Sequence, residues 1–386
     1  MSNEMYFRLS DICDITTGKL DANAMVENGK YPFFTCDRNP YRINEYAFNC
    51  ECVLIGGNNA KGNFPVNYYN GKFNAYQRTY IITQKEESIV NIKYIYYKII
   101  MTLQELKTRS SGSVTKFITL GMLQNIKIPK MNKEQYDKIG EMIFTIEDKV
   151  NNNNSYIEKL NNYSQLLYHK WFIDFNFPNE DGLKYKENGG ELIEYEGKLI
   201  PKGWQVININ KIAKKTTEIE KPKENPKKIY KYYSIPIYDD TKTYSEERGE
   251  NILSNKYVVN KENLLISKLN PWFKRIIYHK DADDSICSTE FVVLMPLEKN
   301  RLEYLYIIAN TDKFTKYCTN ASTGTSNSHK RVNPDYMMKF KVPYNNDIVS
   351  KFNEVVTPLV KKINLLYGEN KYLIEVRDLL IRKLIK

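Results

Sequence analysis

Residues 132–172 carry an apolar repeat with a period of seven. Ile139, Ile146, Leu160 and Leu167 fill one heptad place, and Ile143, Val150, Ile157 and Trp171 fill a second. Asn153 and Ser164 are the interruptions. Two apolar places per heptad, held over several heptads, predict a long helix whose seam lies against another helix. The pattern returns 213 residues further on, as Phe352, Leu359, Leu366, Leu373 and Leu380 with Val356, Ile363 and Leu384. There the polar places hold Asn370 and Arg377. A chain that writes the same seam twice supplies its own partner for it.

The stretches outside the helices repeat as well. Residues 1–131 read as a mixed α/β domain. Tyr6-Phe7-Arg8-Leu9 leads to Thr16-Thr17-Gly18, 52–55 is an apolar strand, 79–83 is rich in strand formers, 92–106 reads as helix, and 126–128 is a closing strand before Pro129. The order recurs in 204–217, 264–267, 291–294, 302–316 and 340–343. The polar loop Arg109-Ser110-Ser111-Gly112-Ser113 returns as 321–326. A period of about 210 residues, against the ~20–50 of a solenoid, means two large tandem domains. The offsets grow along the second copy, so it carries extra loop residues. The expected layout is a mixed α/β (α+β) fold: a first domain over 1–131, a central helix over 132–178, a second domain over 179–345 and a C-terminal helix over 346–386. Pro178 stops the central helix, and a Gly- and charge-rich connector, 179–200, opens the second domain. Pro358 is expected to divide the C-terminal helix into a part from Asp347 and a main part beyond it.

Each helix of about 40 residues extends up to ~60 Å at ~1.5 Å per residue. Antiparallel packing sets Ile139 against Leu384, Asn153 against Asn370 and Trp171 against Phe352. A polar pair inside an apolar seam fixes register at some cost in stability. Domains held apart on such helices, at opposite ends of a pseudo-two-fold pair, would touch two separate patches of one ligand. On B-DNA, patches one turn apart are ~34–36 Å from each other.

Charge narrows the ligand. The net charge is +11 and there are 31 tyrosines, which suits a polyanion, nucleic acid first. A compositional bias toward Lys, Asn, Ile and Tyr would give the same balance. No apolar run reaches the length of a bilayer span, and no basic segment followed by an apolar core opens the chain, so a cytoplasmic protein is expected. The six cysteines are scattered without a CxxC pair, and there are three histidines, which disfavours a zinc site or a disulfide framework.

Motifs that carry chemistry are weak. Asn39-Pro40-Tyr41 and Asn270-Pro271-Trp272 lack the second proline of the amino-methyltransferase tetrapeptide, and no glycine-rich cofactor loop accompanies them. Glu147-Asp148-Lys149 lies on the helix without the upstream aspartate of a nuclease. There is no GxxxxGK[ST] loop for ATP. His169, His279 and His329 have no Cys or Asp at catalytic spacing and read as surface residues.

Binding signals are better. Gly56-Gly57-Asn58-Asn59-Ala60-Lys61-Gly62-Asn63 follows a strand. Its amides suit adenine, and its lysine suits guanine or phosphate. The equivalent place in the second domain holds Lys268, Asn270, Lys274 and Arg275. The paired polar loops contribute Ser113 and Lys116 in the first domain, and Ser326, Asn327, His329, Lys330 and Arg331 in the second. Hydroxyls, backbone amides and cations together suit phosphate. Arg78, at a strand end, reads equally as a base contact or as a plain surface cation.

Taken in order, Leu167-Tyr168-His169-Lys170-Trp171-Phe172-Ile173-Asp174-Phe175, Phe177-Pro178 and Ile200-Pro201-Lys202-Gly203-Trp204 resemble a specificity subunit of a type I restriction–modification system. The loops Ser111-Gly112-Ser113 and Ser322-Thr323-Gly324-Thr325 join them, and the resemblance spans essentially the whole chain. It implies two target recognition domains, each reading part of a split double-stranded DNA sequence, with the helices as spacer. It implies no chemistry in this chain. Two adenine-N6 methyltransferase subunits would use S-adenosylmethionine, and restriction subunits recruited through them would use ATP and Mg2+. The helices would be the methyltransferase dock, with Tyr156, Tyr163, Leu166, Tyr168 and Phe172 expected on their outer face. The competing reading is an adaptor whose helices oligomerise and whose domains bind protein.

Overall fold

The computed structural model of the chain describes residues 5–59, 62–109, 117–280, 284–298, 300–324 and 329–385. It divides into two compact units, Met1–Val150 with Leu373–Lys386, and Asn151–Tyr372.

The first unit is built on a six-stranded sheet. Its strand order is Cys13–Thr17, Thr79–Gln84, Phe48–Gly56, Val66–Ala75, Tyr31–Phe34, Tyr41–Ile43. Neighbours are antiparallel except Tyr31–Phe34, which runs parallel to Val66–Ala75. Residues 52–56 are buried without alternation because both faces of the sheet are covered. Val53 and Ile55 point to one side, with Ile82 and the helix Ile92–Arg109. Cys52 and Leu54 point to the other, with Phe34, Phe73 and Ile81. An antiparallel pair, Tyr6–Arg8 with Lys127–Pro129, brings the domain's two ends together.

The second unit repeats this plan. Its four-stranded antiparallel sheet runs Ala213–Thr216, Phe291–Pro296, Asn263–Ser267, Ile276–His279, matching the first four strands above in order and direction. Gln205–Asn208 pairs with Lys341–Tyr344 where the first unit has its closing pair. One long helix becomes two, Leu302–Asn310 and Asp312–Asn320. Thr311 divides them: its backbone is extended, and its hydroxyl accepts from Phe314 N. The extra residues of the second copy are not only loop. They contribute to a five-stranded sheet of Ile219–Glu220, Lys256–Val259, Ser285–Cys287, Ile229–Tyr233 and Ser245–Arg248. The connector also has structure. Leu192–Tyr195 and Lys198–Pro201 form a hairpin over Glu196 and Gly197, both at positive φ, as a two-residue turn of the right twist requires.

The central helix is Lys133–Tyr168, followed by a π-helical turn, His169–Ile173. In the first unit its Glu147 accepts from Tyr97 Oη at 2.7 Å and Tyr96 Oη at 3.2 Å. Burial, and then the Glu147 charge, push both phenols well up. Glu147 thus serves the core, while Leu380, Ile381 and Ile385 pack into the same cluster as Ile143. In the second unit Ile157 and Leu160 meet Ile363 and Leu366, and Trp171 lies 5.5 Å from Phe352, so the helices run antiparallel there. Asn346–Leu384 is one uninterrupted helix through Pro358. Pro358 and Glu354, whose carbonyl loses its donor, are both exposed, so water can satisfy that carbonyl.

Two expectations fail at this end of the helix. Tyr168 is 6% exposed and Phe172 fully buried, not outward-facing. Phe172 packs on Tyr304, Phe352 and Trp204 with ring centroids 4.9, 5.0 and 5.5 Å away. A heptad reading supposes one partner helix, whereas here the second domain covers the helix from another side. His279 is also buried rather than on the surface, and its Nδ1 lies 3.2 Å from Tyr233 Oη. The six cysteines are free thiols, and burial pushes Cys13 and Cys318 up to about 12.

Candidate nucleic-acid interface

In the first domain the segment after Phe48–Gly56 is held flat against its neighbour. Gly57 N donates to Arg78 O at 2.8 Å, and Ile118 N donates to Gly57 O at 2.9 Å. A Cβ on Gly57 would stand 2.8 Å from Arg78 O, so the approach requires glycine. Asn58 follows at once. With its amide turned to satisfy both ends, its Oδ1 accepts from Arg78 Nη1 at 2.6 Å and its Nδ2 donates to Gly57 O at 3.2 Å. Arg78 is exposed and Asn58 half-buried. The two therefore form one unit, a guanidinium and an amide side by side.

Asn59 O accepts from Gly62 N at 3.0 Å, and its Oδ1 accepts from Asn63 N at 3.1 Å. Asn63 Oδ1 in turn accepts from Lys107 Nζ at 2.6 Å. These residues border an open recess of about 780 Å³ that Arg38, Asn39, Gln104 and Lys107 also line. Sequence reading missed these last four as binding residues. Ile100, Leu103, Gln104 and Lys107 do recur at helical spacing, and that was the available signal. Lys61, Ser113 and Lys116 lie outside the described residues.

In the second domain the equivalent segment is a tight turn, Pro271–Phe273. Asn270 and Lys274 flank it, both in the left-handed region at φ 49° and 48°. Asn270 is buried, donates from its N to Lys330 O at 2.7 Å and accepts at Oδ1 from Lys330 N at 3.1 Å. Arg275 is buried too. It donates from Nε and Nη2 to the Asp239 carboxylate at 2.6 and 2.7 Å, and from Nη1 to Leu269 O at 3.2 Å. The Arg275 hydrogen bond holds the Asp239 carboxyl below the usual range. Lys274 pairs with Asp312 at 2.6 Å. Asn270 and Arg275, expected as DNA contacts, instead support the turn, because their polar atoms are spent inside the protein.

Lys268 and Lys330 differ from these: among the described residues neither has a carboxylate within ion-pair distance. Arg331 is exposed, lies 2.9 Å from Glu290, and exchanges backbone hydrogen bonds with Thr323. A bridge between Leu269 and Arg331 ties this segment to the turn, and His329 is exposed beside it. Ser326 and Asn327 lie outside the described residues.

On the helices, Asn153 Nδ2 donates to Asn370 Oδ1 at 2.9 Å and to Glu369 Oε2 at 3.0 Å. Asn370 Nδ2 donates to Asn154 Oδ1 at 2.9 Å. Both asparagines are buried among apolar neighbours with their amides bonded, which is how a seam tolerates them. Tyr156, Tyr163 and Leu166 are about half exposed, at 49, 51 and 49%. Among the described residues no cluster of metal-ligating side chains occurs, and no helix is long and apolar enough to cross a membrane.

Two domains built on the same four-strand order, each with amide side chains in the loop that follows its matched strand, define a tandem repeat protein. The type I restriction modification DNA specificity domain matches residues 1–162 and again 201–346, and the chain belongs to that family. The family is a DNA-recognition component of restriction–modification systems rather than a catalytic one. The chain is 25% identical over 339 residues to the type I restriction enzyme EcoDI specificity subunit of Escherichia coli, covering 82% of this chain and 72% of that one. It is 25% identical over 310 residues to the MjaIX specificity subunit of Methanocaldococcus jannaschii, covering 76% and 68%. Its fold is similar to the crystal structure of the type I S subunit from M. genitalium, with a TM-score of 0.67 at 15% identity over 100% of this chain and 97% of that one.

Proposed function

We propose that this chain reads a split DNA sequence, one half-site per specificity domain, and delivers it to adenine-N6 methyltransferase subunits and, through them, to restriction subunits. The observation that carries the reading is the double family match on two domains that share a four-strand order and whose equivalent loops differ in chemistry. Equal scaffolds with different loops suit two different short sequences. Asn58, Asn59 and Arg78 face the first half-site, and Lys268, His329, Lys330 and Arg331 the second. Lys61, Ser113, Lys116, Ser326 and Asn327, which lie outside the described residues, are read from the sequence alone as further DNA contacts.

Asn153 and Asn370 set the register of the helix pair, and Tyr156, Tyr163 and Leu166 are the methyltransferase dock. S-adenosylmethionine, ATP and Mg2+ are used by those partners, and the complex works in the cytoplasm. Phosphate contacts release counterions, so affinity falls steeply as salt rises. The test is retention of DNA duplexes by the chain purified with its methyltransferase partner, across a salt series. Sequence-dependent retention with a steep salt slope supports the reading, and its absence at low salt overturns it. An adaptor that binds only protein predicts no retention at all.

A further inference from the structure

We propose that Trp272 and Phe273 form an aromatic wedge that enters the base stack of the half-site held by the second domain. This rests on the DNA-reading function proposed above. The turn that carries them is strained: Asn270 and Lys274 are non-glycine residues in the left-handed region on either side of Pro271–Phe273. Such backbone persists only where its surroundings over-determine it, and it gathers at functional sites.

Here the surroundings do so. The Asn270 backbone and side chain are both bonded to Lys330. Phe273 N donates to Asn270 O at 3.1 Å, and Ser267 Oγ to Leu269 O at 3.0 Å. The Arg275 guanidinium, locked on Asp239, lies 4.6 Å from the Phe273 ring centroid. The result is a rigid mount.

What the mount presents is apolar. Trp272 is 37% exposed and Phe273 57%, with ring centroids 5.9 Å apart at 45°. The chain's other two tryptophans, Trp171 and Trp204, are buried in the core at 8 and 4%. Trp272 is thus the one tryptophan of the three whose mount leaves part of its ring where water can reach it.

The border of the tip names the occupant. Lys268 and Lys330 lack carboxylate partners among the described residues, and the bridged segment 329–331 lies against the turn. Lys274 on the turn is already paired with Asp312, so the charges left for DNA are Lys268 and Lys330; base faces suit the rings, a phosphate suits Lys330, and a base edge suits Lys268. A purely apolar protein groove would leave the lysines unmatched. The first domain places Asn58 and Asn59 at the equivalent position, so the wedge acts on one half-site only.

The test uses the chain in complex with its methyltransferase partner, without S-adenosylmethionine. The probe is a duplex carrying the sequence found methylated in cells, with 2-aminopurine at second-half-site positions other than the methylated base. Wild type should raise 2-aminopurine emission severalfold. The double variant W272A/F273A should abolish that rise and bind roughly ten- to hundredfold more weakly, as expected for lost base–aromatic stacking. W272F should keep affinity within a few-fold but remove the DNA-dependent quenching of tryptophan emission. W272F keeps an aromatic ring where Trp272 is 37% exposed, so its thermal unfolding should stay close to wild type.

The wedge is overturned if wild type retains the duplex by sequence while W272A/F273A binds equally well and 2-aminopurine stays silent. It is equally overturned if W272A/F273A loses only assembly with the partner. Failure of wild type to retain DNA at all is a different result and sinks the DNA-reading function itself.

Discussion

The two domains share the order of four strands and differ where the strand Phe48–Gly56 and its counterpart Asn263–Ser267 end. In the first, Gly57 lets the backbone lie against Arg78 O, and the following amides border an open polar recess. In the second, the buried Arg275, paired with the half-exposed Asp239, supports a tight turn between two left-handed residues that presents two aromatic rings. The paired strands beneath are interchangeable in topology, and the loops are not. Recognition chemistry in this chain is thus separable from the scaffold: the sheet fixes where a loop emerges, and a few local bonds fix what it offers.

The sharpest way to break this comparison is through the supports of the two loops. Asp239→Ala leaves the buried Arg275 charge unpaired and should cost roughly 3 kcal/mol, toward the low end for buried pairs because Asp239 is itself half-exposed. Arg78→Ala, at an exposed residue, should stay within about 0.5 kcal/mol. Thermal unfolding of the two variants checks both, and equal shifts would erase the distinction. The pair also has a pH signature. The Asp239 carboxyl is held low in the folded chain, so its contribution is complete above the ordinary carboxylate value of about 4 and is lost as pH falls through the depressed one.

Gly57→Ala comes next. The new Cβ would be 2.8 Å from backbone oxygen, so the loop must shift, at about 1–3 kcal/mol by chemical denaturation. Unchanged stability would mean the first loop is not held as described. Asn58→Ala should alter discrimination at the first half-site by about 1–3 kcal/mol, read from binding to duplexes varied one base at a time, and leave the second half-site alone. The smallest effect is expected for Lys330→Ala: uniformly weaker binding to all sequences, and a salt slope lower by about 1.

Much of the architecture was written in periodicity. A seven-residue seam, repeated 213 positions on, gave the helix pair, and the same register brings Asn153 to Asn370 and Trp171 to Phe352. The ordered apolar runs gave the paired domains because both copies bury the same strands. Other features were illegible because they depend on distant residues. Nothing near Arg275 announces Asp239, 36 positions away, so a buried support read as a DNA contact. Tyr168 and Phe172 read as outer-face residues because a heptad counts one partner, and their second partner is the domain around Tyr304 and Trp204. The recess in the first domain draws on the helix Ile92–Arg109 as well as on the glycine loop, and its lining emerges only when those elements meet.

Mapping the methylated sequence in cells that carry the chain with its methyltransferase partner tests the central claim most directly. Wild type, Asn58→Ala and Lys268→Ala should be compared. Two separated half-sites are expected, with each substitution relaxing a different half. A single continuous motif, or both substitutions altering the same half, would contradict one domain reading each half-site.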